Sequence, residues 1–332
     1  MVEIKQKMRV SVIIPVYNKE AYIAETIESV LNQTFIDFEL IILDDCSTDN
    51  SVAIIKSFSD IRIRFYQNAS NMGVAFSANK LMDLCAGEYI LRADADDICL
   101  PDRIEKQIKF MDENPDVDFS SASVVCFGLS DAVLNVKSKA DEIKSLILFN
   151  PTIFQCSSIF RSEFIKSNTF RYNESIGNVG EDWEFWVRLM EKGKASNLDQ
   201  ILVKYRINSF SLSFGEQDFF LKREKALYAI FDFYQLPCNR ITSHFLFKNH
   251  FPDGINLIVL KNFVGWCNYL INWNVEKKHF NHRIFEKYIR QSQLKLFYKV
   301  CDSSPWLSLR YLFMIKSFKF SNFRYLLSKL LK

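Results

Sequence analysis

Asp94, Asp96 and Asp97 place three carboxylates within four residues, directly after the apolar run Tyr89-Ile90-Leu91. In extended backbone, side chains two apart project to one side, so Asp94 and Asp96 are expected to face the same way. Two bare carboxylates held together repel unless positive charge lies between them. A hard divalent cation, Mg2+ or Mn2+, takes oxygen ligands and keeps positions open for substrate phosphates. The same pattern also makes an ordinary solvated acidic turn ahead of Pro101, because short acidic patterns arise often by chance. A second acidic pair, Glu181-Asp182, precedes Trp183, Trp186, Val187 and Met190, whose spacing predicts one face of a helix. At a helix N-terminus the dipole favours ionised carboxylate. An ionised carboxylate can take the proton of an attacking hydroxyl. On the pair alone, simple complementation of the helix dipole is the stronger reading.

Positioning these groups falls to an alternation of strand and helix. The β-branched run Val10-Ser11-Val12-Ile13-Ile14-Pro15 predicts a strand buried on both faces. Ile23, Ile27, Val30 and Leu31 predict a helix over about 20–32. Phe38 to Leu43 predicts a second strand ending in Asp44-Asp45. Ser47-Thr48-Asp49 offers caps for a helix through Val52, Ile55 and Phe58, and Ile61 to Tyr66 predicts a third strand. A loop over Asn68 to Gly73 leads into a helix reaching about Ala86. The whole argues for an α/β fold: an open, mostly parallel sheet with helices on both faces. Ligands of such sheets bind at the carboxyl ends of the strands. Tyr17, Asp45 and the Asp94–Asp97 cluster all fall at that edge.

Neither standard glycine-rich phosphate cradle is present. There is no G-x-G-x-x-G after the first strand and no G-x-x-x-x-G-K-[ST] anywhere, which disfavours a nicotinamide dehydrogenase. A diphosphate bound here would need a metal to neutralise it. Tyr17 offers a flat face for a base. Asp45 can accept hydrogen bonds from the imide N–H of uracil or from a ribose hydroxyl, although helix capping accounts for Asp44-Asp45 as well.

Ser11-Val12-Ile13-Ile14-Pro15-Val16-Tyr17-Asn18, Thr26 through Phe35, and Phe38 through Ile42 with Asp44-Asp45 and Ser47-Thr48-Asp49 closely resemble family 2 glycosyltransferases of the GT-A fold. Asn71-x-Gly73, Gly87-Glu88-Tyr89-Ile90, Asp94-x-Asp96-Asp97 and Pro101-x-Arg103 continue the match in order, over roughly residues 8–215. The resemblance implies transfer of a sugar from a nucleotide diphosphate donor, usually with inversion. It implies a UDP-sugar donor with a saccharide or lipid-linked saccharide acceptor, as in cell-surface polysaccharide synthesis, and Mg2+ or Mn2+ as cofactor. Carried over residue by residue, Pro15, Tyr17, Asp45, Asn71, Gly73, Asp94, Ala95 and Asp96 correspond to donor contacts. Asp94 and Asp96 form the D-x-D pair that holds ribose and metal. Asn150-Pro151 through Arg161 resembles the segment beneath the acceptor, with Ser157, Glu181 and Trp183 as acceptor-side candidates. The family's E-D motif points to Asp182 as the general base.

Two departures stand out. The family often has arginine before the asparagine at position 79, where this chain has Ala78. Many members carry histidine where Asn208 stands, so Asn208 is at best a weak oxygen ligand for the metal. All four histidines lie beyond residue 240, and His279-x-x-His282 is more simply packing or surface than a zinc site. Asn208 and Ala78 keep open a second class, a non-catalytic nucleotide-sugar binding or scaffold protein; intact Asp94, Asp96 and Asp182 argue against it.

The 332 residues are expected to divide into a GT-A-like domain over 1–215 and a helical extension over 216–332. The extension holds 19 Lys and Arg against 8 Asp and Glu, a net of +11; the first 215 residues hold 23 against 31, a net of −8. An acidic catalytic part is a poor nucleic-acid surface, so no nucleic-acid partner is expected. From Pro305 onward there are six basic residues and no acid. Phe318, Phe323, Leu326, Leu327, Leu330 and Leu331 supply an apolar side, which suits a helix on an anionic membrane surface as well as a helical subdomain. The eight cysteines form no C-x-x-C pair and read as reduced, buried thiols. The polar start and the lack of a long apolar run predict a cytoplasmic protein, free or peripheral on the cytoplasmic face of the membrane.

Overall fold

Strand β1 (Val10–Val16) is buried except for partial exposure at Pro15, and β2 (Phe38–Asp44) is buried throughout. Aliphatic strands without polar alternation need cover on both faces, which a parallel sheet between helix layers supplies. With β3 (Ile63–Gln67) and β4 (Tyr89–Arg92) they form a parallel ladder, Val12 lying opposite Leu40 on one side and Leu91 on the other. The short strands β5 (Ile98–Cys99) and β6 (Phe119–Ser120) follow, then β7 (Ala122–Gly128), β8 (Val133–Leu134), β9 (Ile159–Arg161) and β10 (Leu198–Ile207). The larger sheet has the order β3-β2-β1-β4-β9-β6, with β9 antiparallel to both its neighbours. The smaller has the order β5-β10-β7-β8. The computed structural model describes residues 8–208, 223–248, 254–315 and 320–330. The expected α/β architecture is present.

Helices α1 (Ile23–Leu31), α2 (Ser51–Ser57) and α3 (Val74–Leu84) follow the first three strands, and α4 (Arg103–Glu113), α5 (Ala140–Leu146), α6 (Ser162–Ser167) and α7 (Glu181–Met190) come later. On α1 the buried Ile23, Thr26, Ile27 and Val30 form one stripe against the sheet. The third strand begins at Ile63 rather than Ile61. The Asp60 carboxylate accepts from the backbone and side chain of Arg62, which makes 60–62 a turn and leaves Ile61 99% exposed.

The chain forms two compact units. The first runs to Ile143 and resumes over Pro151–Ala226; the second takes Lys144–Asn150 and continues from Leu227. The expected boundary at 215/216 lies outside the described residues. The second unit is helical, as expected, with α8 (Glu224–Phe233) entering it, followed by α9 (Ile241–Phe245), α10 (Leu257–Lys277), α11 (His282–Ser303), α12 (Pro305–Leu312) and α13 (Phe320–Leu330). Within it Phe149 packs against His244, Phe247, Phe285 and Tyr288. His244 donates from Nε2 to the Leu148 carbonyl and accepts at Nδ1 from the Trp266 indole, so this histidine is a neutral core residue. The eight cysteines are free, six of them buried. Among the described residues no helix is long and apolar enough to cross a membrane.

Arg103 of the P-x-R motif is fully buried at the start of α4. It donates from Nη2 to the Arg92 carbonyl at 2.6 Å and from Nε to Gln107 Oε1, and Gln107 in turn donates to the Ser157 carbonyl. Arg103 therefore fixes the end of β4 from below. Arg103→Met should lower unfolding stability by roughly 2–3 kcal/mol in a denaturant titration, because it leaves the Arg92 carbonyl buried without its charged donor.

Candidate active site

The loops after β1 and β2 are tied into one piece. Asn18, in the left-handed region at φ 50, accepts at Oδ1 from the Thr48 backbone, and its own N–H reaches Ser47 Oγ. The Lys19 N–H donates to Ser51 Oγ, and the Glu20 N–H to Asp49. Tyr17 stands beside this lacing 44% exposed, its ring open to a planar partner.

Asp45 is buried, and both its oxygens are engaged. Oδ1 accepts from Asn68 Nδ2 at 2.7 Å and from the Met72 N–H at 2.9 Å; Oδ2 accepts from the Gly73 N–H at 2.8 Å. Asp45 thus anchors the loop that carries exposed Asn71. Gly73 sits at φ 90, where only glycine is unstrained.

The acidic cluster is not extended backbone. The Asp97 N–H donates to the Asp94 carbonyl, closing a turn, so the alternation expected to align Asp94 with Asp96 does not operate. The turn itself sorts the side chains. Asp94 and Asp96 stay partly exposed, while Ala95 and Asp97 are buried. Asp97 Oδ1 accepts from the Arg206 N–H, and Arg206 Nε donates to the Asp96 carbonyl at 2.8 Å. Burial, reinforced by Asp94 and Asp96, pushes the Asp97 carboxyl well above the usual range. Lys19 pairs with Asp96 through Nζ, and Arg92 Nε donates to Asp94 Oδ1 at 3.0 Å. Carboxylate oxygens are the donors a hard divalent cation takes, while Lys19 and Arg92 already balance part of the charge of this pair. Among the described residues no group of three His, Cys, Asp or Glu side chains forms a metal site. Asn208 follows β10, and residues 209–222 lie outside the described residues.

Arg92 is buried. Burial opposes its charge, yet Asp94, Tyr172 and Glu181 together raise its pKa. Its Nη1 has no hydrogen-bond partner among the described residues. The same field reaches α7. Gly180 caps that helix at φ 90, and a side chain there would meet Ala226 Cβ at 2.8 Å. Burial and the neighbouring Asp182 raise Glu181 to about 8. Asp182 is half-buried; burial raises it as well, while Arg223 and the Trp183 N–H, donating at 2.8 Å, pull it down. The expected ionised pair is therefore corrected at Glu181, where desolvation outweighs the helix dipole; at Asp182 burial raises the carboxyl and Arg223 opposes it. Trp183 is buried, with the Arg223 guanidinium 6.0 Å from its ring centre. Ser157 is fully buried and donates to the Ala122 carbonyl at 2.7 Å, so its hydroxyl braces β7 instead of facing an acceptor. Sequence reasoning missed Lys19, Arg92, Arg206 and Arg223. Arg92 alone carried a signal, a cation at the end of an otherwise apolar strand.

The profile described as Glycosyl transferase family 2 matches residues 11–165. An uncharacterised glycosyltransferase of Methanocaldococcus jannaschii is 33% identical over 264 residues, 77% of this chain and 86% of its own. The UDP-Glc:α-D-GlcNAc-diphosphoundecaprenol β-1,3-glucosyltransferase WfaP of Escherichia coli is 30% identical over 67% of this chain and 86% of its own. Among solved structures, S. aureus TarS 1–349 in complex with UDP-GlcNAc superposes with a TM-score of 0.59 at 20% identity, covering 88% of this chain and 85% of TarS. The Pyrobaculum calidifontis mannosyltransferase PcManGT, in complex with GDP-Man and Mn2+, gives 0.51 at 15% identity, over 98% and 86%. With its sheet edge, acidic turn and E-D helix, the chain belongs to glycosyltransferase family 2 and has the GT-A fold.

Glu181 gives a stability signature. Its raised pKa means the folded state holds a proton that the unfolded state releases near 4.5, so stability falls as pH rises from there to about 8. Glu181→Gln keeps a neutral side chain and should flatten that decline in thermal melts across the same window.

Proposed function

We propose that this protein is a metal-dependent, inverting glycosyltransferase. It moves a sugar from a nucleotide diphosphate sugar, a UDP-sugar in the favoured reading, to a hydroxyl of a saccharide or lipid-linked saccharide. The observation that carries the reading is the acidic turn after β4, which leaves Asp94 and Asp96 partly exposed at the carboxyl edge of the sheet, with Arg92 Nε donating to Asp94 Oδ1 at 3.0 Å. Tyr17 stacks on the base, and Pro15 and the loop of Asn71 and Gly73 line the nucleoside. Asp45 Oδ2, which accepts only from the Gly73 N–H, keeps one lone pair for a ribose hydroxyl or imide N–H while the carboxylate anchors that loop. Asp94 and Asp96 would hold Mg2+ or Mn2+, which when bound supplies Lewis-acid neutralisation of the diphosphate. Asn208 stands as an additional oxygen ligand only. The partnerless Arg92 Nη1 gains a partner when an anionic oxygen of the donor arrives.

Asp182 is the general base. Its ionised form takes the proton of the acceptor hydroxyl as that oxygen attacks the anomeric carbon from the face opposite the diphosphate. Glu181, neutral at pH 7, adds no competing charge beside it. Arg223 is a positioning residue that favours the ionised form of Asp182. A lipid-linked acceptor, like the one in the name of the E. coli relative, would be presented at a membrane. The basic second unit supports contact with an anionic surface on its cytoplasmic face.

Screening nucleotide sugars for donor hydrolysis and transfer, with Mn2+ and in EDTA, tests the whole reading; donor affinity unchanged in EDTA would sink metal dependence. Asp96→Asn should lose most metal-dependent donor binding. Asp182→Asn should keep donor affinity and lose turnover by roughly 10²-fold or more. An active Asp182→Asn beside an inactive Glu181→Gln would assign the base to Glu181. The rate should rise with pH along a limb above the ordinary aspartate range, because Asp182 must lose its raised proton. Arg223→Gln should move that limb to higher pH, a shift that a purely structural loss would not produce.

A further inference from the structure

Helix α12 is amphipathic in an unusual sense. Its inward side carries Ser308, Tyr311 and Leu312, all buried, and the Tyr311 hydroxyl reaches the Gln293 carbonyl of α11. The outward side carries Trp306, Arg310 and, one residue past the helix end, Phe313. Trp306 is 73% exposed and Phe313 83%. Spaced i, i+4, i+7, the three share one face about 10 Å long. The apolar side expected from the sequence is divided on α13, where Leu327 is 38% exposed. On α13 Leu326 is buried, Tyr325 donates to Asp302, and Lys329 pairs with the same carboxylate, so this helix is docked on α11. Phe318 and Leu331 lie outside the described residues.

We infer that the Trp306–Arg310–Phe313 face is the membrane-contacting surface of this protein, seating two aromatic rings in the interfacial region of an anionic bilayer with Arg310 among the headgroups. The inference deepens the surface contact proposed above and rests on that reading for its purpose. Exposed indole and phenyl rings flanking a cation match the interfacial layer, where one end of a side chain is apolar and the other wet. Charge selects the lipid: from Pro305 to Lys332 the chain has six basic residues and no acid, and residues 216–332 carry a net of +11. The nearby Asp302 is neutralised by Lys329. A second copy of this chain is a poorer occupant, because a two-fold contact centred on this face would set Arg310 against Arg310.

The full-length protein carries its own reporter. Of the five tryptophans, Trp183, Trp186, Trp266 and Trp273 are buried, and Trp306 alone is exposed. Vesicles of phosphatidylglycerol and phosphatidylcholine, titrated without donor or acceptor, should shift the emission to the blue, and brominated acyl chains should quench it. Phosphatidylcholine alone should give little of either. Arg310→Glu should weaken binding at low salt by about fivefold or more. Trp306→Ser with Phe313→Ser should remove the binding that survives high salt, read by sedimentation. Both variants should keep wild-type melting and donor hydrolysis. Wild-type emission unmoved by anionic vesicles would overturn the inference, as would a double variant that sediments like wild type. So would a concentration-dependent dimer that the double variant abolishes. A protein that binds vesicles but transfers no sugar overturns the proposed function and leaves this inference standing.

Discussion

A guanidinium enclosed by protein at the end of the fourth strand sets the terms for everything at this sheet edge. Removing Arg92 from water is costly unless opposite charge follows it inside. That charge comes first from Asp94 in the turn after β4, which accepts from Arg92 Nε; Glu181 at the start of α7 adds to it only when ionised. Arg103 holds the Arg92 carbonyl, and the Ser158 carbonyl accepts the Arg92 N–H, so the backbone that presents the cation is itself fixed. The acidic turn and the E-D helix are therefore electrostatic neighbours by construction. Moving the acidic turn would leave a buried charge unmatched.

Arginines from later in the chain complete the arrangement. Arg206 closes over the acidic turn through its N–H and guanidinium, pairs with Glu25 of α1, and lies 4.3 Å from the ring centre of Phe127. One side chain thus gathers the first helix, the turn after β4 and the smaller sheet. Arg223 works on the other side, where burial lowers its pKa and the Asp182 and Glu181 carboxylates hold it up. Lys19 extends from the laced loops to Asp96. Cations reach this edge from four directions, which is how a dense cluster of carboxylates is held in a folded chain.

The parallel core was legible because its signal is local: aliphatic runs without alternation, broken by turn residues and followed by stripes of helical period. The place of Tyr17, Asp45, Asp94 and Asp96 at the carboxyl edge followed from that alternation alone. The orientation within the acidic turn did not, because a hydrogen bond from Asp97 to the Asp94 carbonyl decides it, and no spacing rule encodes that bond. The protonation of Glu181 was hidden for a related reason. A helix N-terminus is visible in sequence, whereas the desolvation that overrides its dipole depends on segments that pack there from elsewhere, as Ala226 does beside Gly180. Ser157 misled in the opposite direction, since a hydroxyl in a matching segment says nothing about which backbone carbonyl will claim it. On the C-terminal helices Leu326 turns inward while Leu327 beside it stays 38% exposed, a division that composition alone does not show.

The two occupied oxygens of Asp45 change how this position is to be interrogated. A carboxylate that only recognised a nucleoside could be replaced, and the loss in affinity read as the worth of that contact. Here the same group sets the backbone path from Asn68 to Gly73. A substitution would change that path together with any contact the carboxylate makes, and no single measurement on it separates the two. The informative change is on the other partner. Asn68 donates to Asp45 and accepts from Lys80, so altering it loosens the loop while the carboxylate stays in place. The residue to vary, in order to separate the path of the loop from any contact of Asp45, is Asn68.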